Sequence, residues 1–358
     1  MGDVPSFPAL TAADVDALVI GVSLLGSGGG GDAVTFARVL RHRLGAGTLR
    51  LHSAPELAGG TVVPVGVVGA TSVFLEKLPG GHELTGAVRA VCRWTGSDAT
   101  AVMPLEAGGL NGVAALVAAL ELDLPFLDAD LMGRALPRLD QLTWSAQGAP
   151  LVPAALCEPG GQVVVIDGAT PSALERTARA FLSQSGGWAA IALRPVPVPV
   201  ATENAVIGSL ARALGLGRGH ARLPEGASAA AVAAALGGDV VGVGRVRQIA
   251  RLHHPLPTGS SIHVDNSDTG EVLRIEAQNE YLLAFLDGRA VASTPDLVCV
   301  LDRRSRLPIS VDLLRTGDEV MVLVLPGPSW WQQHHRLRHV DPTAFGLDHD
   351  PVLRVGTP

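Results

Sequence analysis

The chain has 358 residues, enough for two domains or for one large domain with a companion. Hydrophobic residues make up 47% and aromatic residues only 4%, so the core is built from Ala, Val and Leu rather than from large rings. The mean hydropathy is +0.32, yet no apolar run approaches the roughly 18 residues of a membrane helix, and a net charge of -7 without a dense basic block speaks against membrane and nucleic acid as partners.

The first 37 residues lack Lys and Arg, and with them the basic region of a signal peptide, so a cytoplasmic protein is expected. Cys92, Cys157 and Cys299 are odd in number and show no Cys-x-x-Cys spacing, which points to buried thiols rather than disulfides. Lys77 is the sole lysine among 27 basic residues, and Tyr281 the sole tyrosine. In a chain that otherwise uses Arg, a single Lys suggests a position where a compact, titratable ammonium is wanted.

Thr11 to Asp14 has the form of a capping box, and Val15, Leu18, Val19 and Val22 follow at helical spacing. That helix runs into Gly26-Ser27-Gly28-Gly29-Gly30-Gly31-Asp32, a stretch with almost no side-chain bulk over its backbone. Asp32 is placed to cap a second helix reaching about Leu44. The spacing Gly26-x-Gly28-x-x-Gly31 fits a dinucleotide fingerprint, but a helix precedes it, the strand at 48–52 brings no acidic residue, and the Lys-Ser/Thr of a P-loop is missing. No nucleotide cofactor is therefore expected. The loop reads instead as a wall of backbone amides for a carbonyl or an anion.

Strands at 61–68, 99–105 and 124–127 alternate with helices at 83–94 and 112–120, the latter with Asn111 as its cap. The fold class is α/β: an N-terminal domain, residues 1–168, with a largely parallel sheet covered by helices, followed by a β-rich α+β domain, residues 169–358. In such sheets ligands bind beyond the carboxyl ends of the strands. Three polar clusters fall there: Glu76-Lys77, Glu106 to Asn111, and Asp128-Ala129-Asp130 with Arg134.

In the second half, Thr170-Pro171 opens a helix, and the Pro195-x-Pro197-x-Pro199 segment is expected to be extended, followed by helices at 202–214 and 228–236. Short strands dominate from Asp239, at 240–249, 261–264, 271–278, 297–301 and 319–325. The polar run Glu276 to Glu280 reads as a strand end that carries chemistry or as an edge strand with a polar face. His253-His254, His263-x-Asp265 and His334-His335 with His339 are potential metal ligands without a zinc-type spacing, and the tail histidines read as surface or interface residues.

Taken together, Gly26 to Asp32, Glu76-Lys77-Leu78-Pro79, Pro104 to Asn111, Asp128-Ala129-Asp130 with Gly133-Arg134-Ala135, Glu276 to Glu280 and Asp296 to Asp302 make the chain resemble the family named for S-methyl thiohydantoin desulfurase. Ser27 stands where members of that family often have Thr. The resemblance spans nearly the whole chain and implies an α/β domain followed by a β-rich one, a five-membered cyclic amide or thioamide as substrate, and an association with hydantoinase-type subunits or with further copies of the chain.

The expected activity is hydrolysis at C2 of an S-methyl thiohydantoin-like ring, or of a related hydantoin. Glu106, Asp128 and Asp130 are candidates for the general base, or for ligands of a divalent metal such as zinc that activates water, and Lys77 for neutralising the adduct. Ser27, Gly28, Gly29, Gly30, Gly31, Asp32, Asn111, Arg134, Gln278, Asn279 and Glu280 are candidates for substrate binding. The alternative is a non-catalytic subunit that recognises hydantoin-like metabolites.

Overall fold

A computed structural model describes residues 9–252, 259–267 and 269–354; His253 and His254 lie outside them. The capping box at Thr11 forms, with its backbone N and Oγ1 both donating to Asp14 Oδ2 at 3.0 and 2.7 Å. Helix α1 (Val15–Gly26) follows and stops where Ser27 turns left-handed at φ 49°. Helix α2 (Val34–Leu44) starts one residue after Ala33, and exposed Asp32 accepts a hydrogen bond from Val34 N at 3.0 Å.

Among the described residues, the first sheet has nine strands. Strands β1 (Leu49–His52), β2 (Thr61–Gly69), β3 (Ala101–Pro104) and β4 (Phe126–Leu127) form its parallel centre in the order β1-β4-β3-β2. Helices α3 (Glu83–Thr95) and α4 (Leu110–Leu122) connect them, as strand-helix alternation requires. Beyond β2 the sheet continues antiparallel through β5 (Ala154–Cys157), β6 (Val163–Ile166) and, after α5 (Pro171–Ser185), β7 (Trp188–Ala192), in the order β2-β7-β5-β6. Alternate residues of the strands feed two cores: Val63, Val65 and Val102 pack on one face, Val62, Ala101 and Met103 on the other.

The Pro-rich segment is not wholly extended. A short helix, Val198–Glu203, begins inside it, because a proline in the first helical turn gives up an N–H that has no intrahelical partner there. The expected helix at 202–214 is accordingly interrupted by Val206–Ile207, which pairs with Ala129–Asp130, and resumes as α6 (Ser209–Ala221). Helix α6 crosses α1 closely. A Cβ on Gly21 would overlap the carbonyl of Ala213, and one on Gly217 the carbonyl of Ala17.

After α7 (Ala229–Ala235) the chain enters an antiparallel seven-stranded sheet made of β8 (Asp239–Leu252), β9 (Gly259–Asn266), β10 (Val272–Ala277), β11 (Tyr281–Leu286), β12 (Arg289–Ser293), β13 (Leu297–Asp302) and β14 (Glu319–Leu325). The order β12-β11-β10-β9-β8-β14-β13 curls until β11 packs against β13. Val298 and Val300 fill the interior of this half-barrel, while Leu297, Cys299 and Leu301 point the other way into the core beneath α1. One strand thus serves both cores and ties the two sheets together. The polar run Glu276 to Glu280 lies on no edge: it turns between β10 and β11, which pair in the interior of the sheet.

Candidate functional site

The parallel centre of the first sheet aligns the carboxyl ends of β2, β3 and β4 along one rim. Glu106 leaves β3 there and is 7% exposed. Its Oε1 accepts a hydrogen bond from Asn111 Nδ2 at 2.7 Å, and its Oε2 accepts one from Leu136 N at 3.3 Å. Asn111 is not the helix cap. It sits within the first turn of α4, which starts at Leu110 after Gly109 (φ 67°), and its amide group clamps Val67 of β2 by accepting from Val67 N at 2.5 Å and donating to Val67 O at 3.1 Å. The side chain that holds Glu106 is thereby fixed to the neighbouring strand.

Glu280 arrives from the turn of the second sheet and is 2% exposed. It packs against the glycine loop so tightly that a Cβ on Gly29 would overlap its Oε1. Glycine is required at 29 for this close approach. Around it the loop is held mainly through its carbonyls: Tyr281 N donates to Ser27 O at 2.8 Å, Val311 N to Gly28 O at 3.0 Å, and Leu110 N to Gly30 O at 2.9 Å. Ser27 Oγ donates to Val298 O at 2.8 Å, and Gly29 N is engaged by Gly26 O at 2.9 Å. The expected wall of free amides is therefore corrected in part: the loop is a docking surface that seats Glu280 and Tyr281 over the rim.

Burial pushes the Glu106 carboxyl up to about 8, with the nearby Glu280 and Asp130 charges adding to the effect against the Asn111 and Leu136 hydrogen bonds. Burial raises Glu280 to about 7, opposed by the positive charge of Arg134. Arg134 is fully buried; Nη1 donates to Asp296 O at 2.8 Å and Thr294 Oγ1 at 3.3 Å, and Nε to Ala135 O at 3.1 Å. Burial lowers its pKa, while Glu280, Asp296 and Glu106 hold it up. Among the described residues, Arg134 Nη2 and Glu280 Oε2 have no hydrogen-bond partner.

The other candidates are placed elsewhere or used otherwise. Asp130 Oδ2 accepts from Ala107 N and Gly133 N, both at 2.7 Å, and Oδ1 from Ser209 Oγ at 2.6 Å. Asp128 accepts from Leu210 N and Ala211 N at 2.8 and 3.1 Å, capping α6. Desolvation raises both to about 6. Glu106, Asp128 and Asp130 are each hydrogen-bonded to protein donors, and among the described residues no group of three or more His, Cys, Asp and Glu is arranged to hold a metal ion.

Lys77 donates to Glu158 Oε2 at 3.4 Å and Ser185 O at 3.2 Å. Glu158 follows β5, which runs parallel to β3 three strands away, so the ammonium stands on the same rim but about 14 Å along it. Gln278 Nε2 donates to Phe345 O at 2.8 Å, and Asn279 is exposed. Ser209 and Thr294 support the cluster without a local signal, since nothing in a lone Ser or Thr reveals a partner 80 or 160 residues away, and Asp296 supports it through its backbone carbonyl. An open groove of about 200 Å³ between Asp239, Leu286, Val291 and Arg354 lies on the second sheet and contains none of these residues.

Fold and site together define an α/β protein with two large sheets and a buried carboxyl pair and a guanidinium under a glycine loop. Two family models match consecutively, the S-Me-THD-like N-terminal domain over residues 13–168 and the S-Me-THD-like C-terminal domain over residues 169–352, so the chain belongs to the S-Me-THD-like family. The crystal structure of a protein from Chromobacterium violaceum is similar over 97% of this chain and 100% of its own, at 22% identity and a TM-score of 0.80, which shows a shared fold. No curated protein matches the chain. The two family models meet at 168/169, whereas the first sheet takes strands from both sides of that point, β7 included.

Proposed function

We propose that the protein is a hydrolase that replaces the methylthio group at C2 of an S-methyl thiohydantoin-like ring with oxygen. The family supplies the ring, and the site supplies the chemistry. The observation that carries the reading is the buried carboxyl pair under the glycine loop: burial raises both, Glu106 to about 8, so that it holds a proton at neutral pH, and Glu280 to about 7, so that beside Arg134 it is about half ionised there, with its Oε2 open. Two carboxyls in one site whose surroundings differ, Glu280 facing the Arg134 charge and Glu106 held by Asn111, divide into base and acid.

Glu280 takes a proton from water as its oxygen bonds to C2, forming a tetrahedral adduct. The C2–S bond then breaks, the Glu106 carboxyl gives its proton to the departing sulfur, and methanethiol leaves. The hydroxyl proton on C2 passes to the ring nitrogen, giving the hydantoin, and proton exchange between the two carboxyls restores the starting state. Overall, the ring and one water yield a hydantoin and methanethiol. No step is routed through Lys77, Asp128, Asp130 or a metal.

The test is thiol release from S-methyl thiohydantoins by the purified protein and by Glu106→Gln and Glu280→Gln, with melting temperatures as the control for folding. Each variant is expected to lose activity by about 100-fold or more. Full activity in folded Glu280→Gln would overturn the assignment, and binding without thiol release by the wild type would favour a non-catalytic binding subunit.

A further inference from the structure

Arg134 is held on two of its three nitrogens and open on the third. Nε and Nη1 are fixed by the carbonyls of Ala135 and Asp296 and by Thr294 Oγ1, which gives its own proton to Val340 O at 2.8 Å and so offers its lone pairs to the guanidinium. Because the guanidinium is planar and rigid, fixing two nitrogens fixes the direction of the third. Nη2 remains a buried donor without an acceptor, and Glu280 Oε2, in the same cluster, a buried acceptor without a donor. The two side chains are 0% and 2% exposed. Such groups are costly to leave open, and a ligand that presents a carbonyl oxygen to one and a proton to the other completes both.

Resting on the hydrolase reading above, we propose that Arg134 Nη2 holds the C4 carbonyl oxygen of the ring and receives the charge formed when water adds at C2, so that the protein requires a carbonyl conjugated to the C2=N3 bond. As water oxygen bonds to C2 and its proton goes to Glu280, the C2=N3 electron pair moves into the N3–C4 bond. The C4=O pair moves onto oxygen. The anion then lies against a fixed cation in a site that excludes water, where such a donor acts most strongly. When the pair returns, C2–S breaks and methanethiol leaves with the proton of Glu106. Charge is conserved at each step, and water is the only co-reactant.

The experiment compares kcat/KM for a 4-oxo S-methyl thiohydantoin and for its 4-deoxo counterpart, a 2-methylthioimidazoline, each divided by its uncatalysed hydrolysis rate. The expected preference of the wild type for the 4-oxo ring, after that correction, is about 100-fold. In folded Arg134→Lys it should fall toward unity. Equal corrected rates on both rings in the wild type would overturn the role of Arg134 while leaving the hydrolase reading intact. Release of methanethiol from neither ring would overturn the reading and the role together. If Arg134→Lys does not fold, the wild-type comparison still decides.

Discussion

Glu106 combines a cost and a use. A carboxyl raised to about 8 in the folded protein, against an ordinary value of 4.5, binds its proton more tightly folded than unfolded. The resulting stability is complete below the unfolded value and is lost as pH rises through the folded one. Glu106→Gln removes that dependence, so its melting temperature relative to the wild type should climb between about pH 5 and pH 9, as thermal denaturation at several pH values would show. A constant difference would mean that Glu106 is not held protonated. Glu106 and Glu280 were legible as polar residues closing strands. Asn111 is legible as a polar residue at a helix start but not by its partners, because a cap is a local pattern whereas its contacts to Val67 and Glu106 are tertiary. The rarity of Lys77 is a fact of composition, and composition does not say which neighbours an ammonium meets.

At the scale of elements, two acidic residues that read as chemistry are holding backbone together. Asp128 joins the end of β4 to the start of α6, and Asp130 gathers Ala107 N, Gly133 N and Ser209 Oγ behind the rim. Asp130→Ala leaves the buried Ala107 N and Gly133 N without an acceptor, while Ser209 Oγ keeps Val206 O at 3.1 Å, and should cost about 2 kcal/mol or more, at roughly 1–3 kcal/mol for each unsatisfied group. Asp128→Ala removes a cap and should cost about 1–2 kcal/mol. Denaturant unfolding measures both, and losses under about 0.5 kcal/mol would place these carboxylates outside the structural framework. The glycine loop teaches the same lesson in reverse. Its sequence displays the absence of side chains, but the reason for that absence, Glu280 against Gly29 and Tyr281 against Gly28, lies some 250 residues further on and leaves no local trace.

At the scale of the molecule, the alternation of strands and helices was enough to give the α/β half, since each βα unit writes its period into a short window. The hairpin of β11 and β12 was not anticipated, and the curl that brings β11 onto β13 depends on sheet geometry rather than on any one segment. That curl carries Glu280 and Thr294 over the rim that bears Glu106 and Arg134, so the site requires both sheets. Among the described residues no helix is long and apolar enough to cross a membrane. The central claim is that two buried carboxyls from two sheets, distinguished by the Arg134 charge beside Glu280, act as base and acid. It is tested most directly by the pH dependence of kcat/KM for methanethiol release. The account predicts a narrow bell that rises as Glu280 ionises near pH 7 and falls as Glu106 ionises near pH 8, with about tenfold loss per pH unit on either side. A profile flat from about pH 6 to pH 9 would contradict it.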